Sequence, residues 1–185
     1  MTRRQAELFD QLVTLFLAEG FRDFTIDALA ARLRCSKTTL YALAGTREAL
    51  VRAVVVHFFR GATERVEAGL AAAAEPRDRI VAYLHGVAAQ LEPASPAFFD
   101  DVAAAPVVRE VYEQNTRAAA RRVEQLVAEG VASGAFRPVH VRFVADVLSA
   151  TMVRIQQREV AEAIGLGDAD AYTELAALVV RGLTP

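Results

Sequence analysis

A single cysteine, Cys35, stands in the 185 residues, so no disulfide can close within the chain and a reducing compartment suits it. A long apolar run is also missing. In the opening MTRRQAELFDQL, Glu7 and Asp10 interrupt the apolar residues, so neither a signal-peptide core nor a spanning helix of about 20 apolar residues can be drawn. The expected setting is the cytoplasm, with no membrane partner.

Lysine occurs once, at Lys37, among 21 basic residues; GC-rich codon usage accounts for such a bias, and it carries no functional reading. The three histidines, His57, His85 and His140, fall on different elements with no ligand partner three or four residues away, which argues against a metal site. Cys35 has no neighbouring histidine to activate it, and Ser36 reads as a helix cap rather than a nucleophile. Asp100 and Asp101 are adjacent, so on a helix they point in different directions, and a solvated cap or loop is expected of them. Nothing here assembles a catalytic group or calls for a cofactor, and no enzyme is expected.

A strong charge of either sign is lacking too: the net charge is -2. Its distribution is uneven. From Met1 to Arg52 eight basic residues (Arg3, Arg4, Arg22, Arg32, Arg34, Lys37, Arg47, Arg52) face six acidic ones, a balance of +2, and the remainder carries -4. An anionic partner would meet the N-terminal quarter.

What is present is a composition 54% hydrophobic and 24% charged, enough for a sizeable core in one or two domains. Every segment repeats its apolar residues at three and four, so an all-α chain of about nine helices is predicted. Ala6, Phe9, Leu12, Val13 and Phe16 mark a first helix, stopped by Gly20. Thr25 caps a second, with Asp27 in its first turn and Ile26, Leu29, Ala30 and Leu33 on one face. Ser36 caps a short third helix through Leu43, and Thr46 caps a fourth reaching about Glu75, before Pro76. Later helices run over about 77–91, a short segment around Phe98 and Phe99, 106–133, 139–164 and 168–183.

Two short helices joined by a tight turn, the second with a polar outer face, make a helix-turn-helix whose second helix enters the DNA major groove. Leu40 is spaced to face inward, while Lys37, Thr38, Tyr41 and Ala42 face outward. Lysine and short hydroxyls suit phosphates and base edges, and tyrosine suits phosphate. Thr25 and Arg47 lie at helix starts, where free N–H groups add to phosphate binding.

The stretch from Ala6 to Leu50, with GFRDFTIDALAARLRCSKTTLYALAGTREAL at its centre, resembles the DNA-binding domain of the TetR family of bacterial transcriptional regulators. The resemblance rests on Phe16, Gly20, Thr25, Ile26, Ala30, Ser36, the Thr39-Leu40-Tyr41 triplet and Arg47-Glu48-Ala49-Leu50. Where that family usually has Gly-Val before the serine, this chain has Arg34-Cys35, so a non-glycine residue is expected in a left-handed or bridging turn, with Arg34 free to reach phosphate. Ala42, Leu43 and Ala44 replace the family's polar and aromatic residues after the tyrosine. The DNA-contacting set expected on these grounds is Thr25, Arg34, Ser36, Lys37, Thr38, Thr39, Tyr41 and Arg47.

The resemblance implies a helix-turn-helix domain over 1–50 and a larger helical ligand-binding and dimerisation domain over 51–185. Its partners would be a double-stranded palindromic operator, an unknown small-molecule ligand and a second copy bound through the last two helices, with repression as the output. Tyr83, His85, Phe98, Phe99, Tyr112, Asn115, Phe143, Met152 and Gln156 are the candidate pocket wall, apolar with a few polar groups. Two apolar stripes on each of the last two helices imply a partner beyond the chain's own core: Val144, Val147, Leu148 and Ile155 beside Phe143, Ala150 and Arg154, then Tyr172, Leu175, Ala176, Val179 and Leu183 beside Leu178 and Val180. The rival reading, drawn from Ala42, Ala44 and the small basic excess, is a helical small-molecule-binding protein with weak or lost DNA binding.

Overall fold

The computed structural model describes residues 2–184, and among them every regular element is a helix. In chain order these are α1 (Arg3–Glu19), α2 (Ile26–Arg32), α3 (Lys37–Ala44), α4 (Arg47–Ala71), α5 (Pro76–Leu91), α6 (Pro96–Ala104), α7 (Pro106–Ala132), α8 (Val141–Gln156), α9 (Glu159–Ile164) and α10 (Asp168–Leu183).

Local chemistry explains most of the boundaries. Thr2 and Gln5 form a reciprocal capping box at the start of α1, and Gly20, at φ 75°, closes it with its N–H on the Phe16 carbonyl. Thr25 and Ser36 accept from Ala28 N–H and Thr39 N–H, so the expected caps of α2 and α3 are in place. Thr46 Oγ1 does the same for Ala49 N–H, 3.1 Å away, at the start of α4.

Two boundaries differ from the sequence expectation. α4 ends at Ala71 instead of about Glu75, because Pro76 opens α5 and Glu75 before it is extended at ψ 141°. The helix expected over 139–164 is two helices, so the described residues hold ten. Arg158 takes a left-handed φ of 61° between α8 and α9, with no glycine or proline there to announce it. Its guanidinium reaches Asp168 at 3.5 Å while Gln156, two residues earlier, points into the interior, so tertiary contacts on both sides of the break stand in for a sequence signal.

The chain forms two compact units, one from its start to Gly61 with Pro93–Glu113, the other Ala62–Glu92 with Gln114 onward. α4 and α7 contribute to both. In the first unit Leu12, Phe16, Leu29, Leu40, Leu50 and Phe98 are all buried. Phe98 on α6 meets Phe21 and Phe58 edge-on at 6.2 and 6.1 Å, so α6 belongs to the core of the N-terminal helices although some eighty residues separate them in sequence.

In the second unit α10 packs along α5 and α8 around Ile80, Leu84, Leu148, Met152, Ile155 and Tyr172. Each such side chain contributes about 1.5–3 kcal/mol by leaving water. Arg137 fastens the end of α10, its N–H on the Leu183 carbonyl at 2.8 Å and its Nε on the Gly182 carbonyl at 2.7 Å.

Candidate functional site

The short helix α3 stands out of the N-terminal unit on a single buried anchor, Leu40. Its outer side carries Lys37, Thr38, Tyr41 and Ala42, all exposed, with Tyr41 at 47%. Ser36 and Thr39 are occupied with each other: Thr39 N–H donates to Ser36 Oγ at 3.0 Å and the two hydroxyls lie 2.8 Å apart. They start the helix, and that role takes up the groups expected to meet DNA. Thr25 is exposed and caps α2 in the same way.

Arg34 has φ 50°, so the turn between α2 and α3 does place a non-glycine residue in the left-handed region. The turn is held by Cys35 N–H on the Ala30 carbonyl at 3.0 Å, and the Arg34 side chain is exposed. Lys37 Nζ forms an ion pair with Asp27 in the first turn of α2, and the hydrogen bond and charge of that carboxylate push its pKa above the ordinary lysine value.

Arg47 is placed differently from the expectation of a phosphate ligand. Its Nε donates to the Phe24 carbonyl at 2.7 Å, and its Nη2 to the Phe21 and Arg22 carbonyls at 2.8 and 2.7 Å. The guanidinium thus clamps the loop between α1 and α2, because three carbonyls left without helix partners converge where α4 begins.

The same loop is held from its other side by a residue whose role sequence reasoning missed. Asp101, expected to be solvated, is buried on α6, and its Oδ2 accepts Phe21 N–H at 2.6 Å and Arg22 N–H at 2.8 Å. Ser95 N–H adds a bond to the Leu17 carbonyl at 2.7 Å. The approach requires glycine at position 20, since a Cβ there would lie 2.5 Å from Asp101 Oδ2. No pattern within α6 could announce this, because its partners are backbone groups 80 and 79 residues away.

Residues 8–54 match the family model described as bacterial regulatory proteins, tetR family. The chain carries the N-terminal domain of the TetR family. No curated protein sequence matches the chain. Solved structures share the fold over its full length. A TetR-family regulator from Thermus thermophilus superposes with a TM-score of 0.68 at 20% identity, covering 96% of this chain and 99% of that one. A transcriptional regulator from Saccharomonospora viridis in complex with choline gives 0.79 at 15% identity, with all of both chains covered. The fatty acid degradation regulator of Bacillus halodurans gives 0.73 at 12%, covering 99% of this chain and 97% of that one. The fold is therefore that of a TetR-family transcriptional regulator.

The second unit encloses a polar cluster. Thr116 Oγ1 donates to Gln156 Oε1 at 2.9 Å, and Gln156 Nε2 donates to the buried Tyr172 hydroxyl at 3.1 Å. Tyr83 is buried beside them, its hydroxyl donating to the Ala119 carbonyl at 3.4 Å. Burial pushes the pKa of both tyrosines well up, with the Glu67 charge adding to the effect on Tyr83, so both hydroxyls stay neutral. Arg122 forms a two-pronged pair with Glu67, Nε to Oε1 at 2.8 Å and Nη2 to Oε2 at 3.1 Å.

Of the candidate pocket wall, Tyr83, Met152 and Gln156 are buried in this unit and Asn115 is half-buried there. His85 and Phe143 are corrected: both face solvent, Phe143 at 65%, because each lies on the side of its helix away from the unit's core. Phe98, Phe99 and Tyr112 belong to the first unit, where Phe98 and Phe99 pack edge to face at 5.6 Å and Tyr112 meets Phe59 at 5.4 Å. Tyr172 and Thr116 were missed as cluster members. Tyr172 sat in an apolar stripe to which periodicity assigned no side; Tyr172, Leu175, Ala176, Val179, Val180 and Leu183 all serve the unit's own core, and Leu178 stays exposed at 68%.

No helix among the described residues is long and apolar enough to cross a membrane. His57 is taken up by Asp10 at 2.8 Å and His140 by the cap of α8.

Proposed function

We propose that this chain is a ligand-responsive transcriptional repressor that binds a palindromic operator as a homodimer and lets go when a small amphipathic ligand enters the second unit. The observation that carries the reading is α3, a short helix with exposed Lys37, Thr38 and Tyr41 on a rigid seat, inside a segment that matches the TetR N-terminal model. Thr38 and Lys37 are suited to base edges and phosphate, Tyr41 and Arg34 to phosphate, and the α2 start at Thr25 offers N–H groups to the backbone. Ser36 and Thr39 support the same surface by starting the helix, and Arg47 by holding the loop behind it.

Gel retardation of a palindromic promoter fragment against random DNA at moderate salt tests this and separates it from a binding protein without DNA function. Lys37→Ala is expected to weaken retardation and flatten the salt dependence by about one unit per head, and Tyr41→Phe to cost about 1 kcal/mol, with thermal melts unchanged. Affinity unaltered by both substitutions would sink the assignment of α3.

A second copy of the chain is the proposed cover for the outer faces of α8 and α10. Phe143, Val147 and Leu178 are 65%, 46% and 68% exposed, which leaves apolar surface on these two helices for a partner to cover. Pairing of these helices into a four-helix bundle would bury them and set two heads on one symmetry axis, reading half-sites about 34–36 Å apart. Light scattering at micromolar concentration should give the mass of two chains; the mass of one removes the dimer.

The ligand is proposed to contact Tyr83, Asn115, Thr116, Met152, Gln156 and Tyr172, whose mixture of apolar surface and neutral hydrogen-bonding groups suits an amphipathic molecule. Ligand and operator would favour different arrangements of the heads and so oppose each other by one coupling energy, about 1–3 kcal/mol in such systems. α4, which starts at the Arg47 clamp and extends into the second unit, is the proposed lever.

A further inference from the structure

Four of the eight cations up to Arg52 are engaged before any nucleic acid arrives. Arg3 pairs with Glu7 at 3.0 Å, Arg32 pairs with Glu19, Arg47 holds backbone carbonyls, and Lys37 pairs with Asp27. The last pair differs from the others in where it lies. Lys37 is the first residue of α3, and Asp27 stands two residues past the Thr25 cap, in the first turn of α2.

An exposed carboxylate at that place acts twice against a phosphate. It repels the incoming charge, and it occupies the ammonium that would neutralise it. On DNA, Lys37 must exchange one anionic partner for another, so the gain is the difference between two ion pairs rather than the whole of one.

We propose that Asp27 is an autoinhibitory counter-charge: it competes with DNA phosphate for Lys37 and so lowers the head's affinity for duplexes of any sequence. The inference rests on the DNA-binding reading above and deepens it. A head held to moderate affinity is one that a modest ligand coupling can detach from DNA, whereas a head with every cation free would stay bound.

The test needs neither operator nor ligand. Binding of the full chain to a random-sequence duplex is followed by fluorescence anisotropy across a salt series, for the wild type, Asp27→Asn, Lys37→Met and the double variant. Asp27→Asn is expected to bind about two- to fivefold tighter per head at low salt. Its log K against log salt plot should keep the wild-type slope, since Lys37 neutralises one phosphate with or without Asp27, and the gain is read in affinity. In the Lys37→Met background the gain should fall by more than half. Asp27→Ser, which also suits a first helical turn, gives the same comparison if the asparagine variant melts early.

An affinity unchanged by Asp27→Asn overturns the proposal, and so does an equal gain with Lys37→Met, which would mean that the charge acts without holding the lysine. A wild type that binds no duplex even at low salt removes the DNA-binding reading and this inference with it; a wild type that binds while Asp27→Asn changes nothing removes this inference alone.

Discussion

Asp101→Ala is expected to lower the stability of the N-terminal unit by about 2–5 kcal/mol, because it strands two backbone N–H groups that nothing else is placed to accept. Both hydrogen bonds are short, 2.6 Å to Phe21 and 2.8 Å to Arg22, and the carboxylate that accepts them is buried. Water cannot replace it without opening the contact between α6 and the loop after α1. The loop leads directly into Thr25 and α2, so a slack loop also loosens the seat of α3, and retardation of DNA should weaken at temperatures where the variant is still folded. Asp101→Asn keeps one acceptor and buries a new amide, and should fall between the two. Urea denaturation followed by circular dichroism reads the order wild type, Asn, Ala; a midpoint for Asp101→Ala equal to wild type would show that the carboxylate does not hold the loop in solution.

Arg47→Ala should have the next largest effect, a loss of about 2–4 kcal/mol from the same unit, since a guanidinium on three carbonyls makes charge-assisted bonds that no other side chain replaces. Arg47→Lys should rescue little, because an ammonium on a flexible stem cannot span carbonyls at Phe21, Arg22 and Phe24 together. Arg47 at a helix start can also be read as a phosphate ligand, and the two roles give opposite results. A clamp predicts a large fall in the denaturation midpoint with an unchanged salt slope for the folded fraction. A phosphate ligand predicts an unchanged midpoint and a slope flatter by about 0.9 per head.

The two substitutions attack one loop from opposite faces, Asp101 through its N–H groups and Arg47 through its carbonyls. Their effects should not add: once the loop is free on one side, the second holder has less order left to defend. A double-variant loss well below the sum of the single losses is the expected sign.

How far these roles can be read from sequence follows from the distance over which each is decided. Thr25 and Ser36 are legible as caps because a cap acts on an N–H three residues away. Leu40 is legible as the anchor of α3, and Lys37, Thr38 and Tyr41 as its outer side, because helical period alone assigns them. Arg34 was legible as a strained turn, and its φ of 50° is the conformation expected there. All of these depend on spans of a few residues.

Other features resisted reading because their partners lie far along the chain. Periodicity marked α10 as apolar on more than one side but could not say which side meets its own unit; packing against α5 and α8 assigned Tyr172 and Leu175 inward and left Leu178 outside. The break at Arg158 has no glycine or proline to mark it. His85 and Phe143 carry the right chemistry for a pocket wall, yet helix rotation turns them to solvent.

The sequence by itself determined the all-helical class, the capped helix-turn-helix and the outward face of α3, since backbone period and capping are settled within one or two turns. Only the tertiary structure decided that α6 supplies a carboxylate to the loop before α2, that Arg47 clamps this loop, and that Asp27 holds Lys37. A buried or paired charge takes whatever complementary groups folding brings to it, and those lie 10 to 80 residues away.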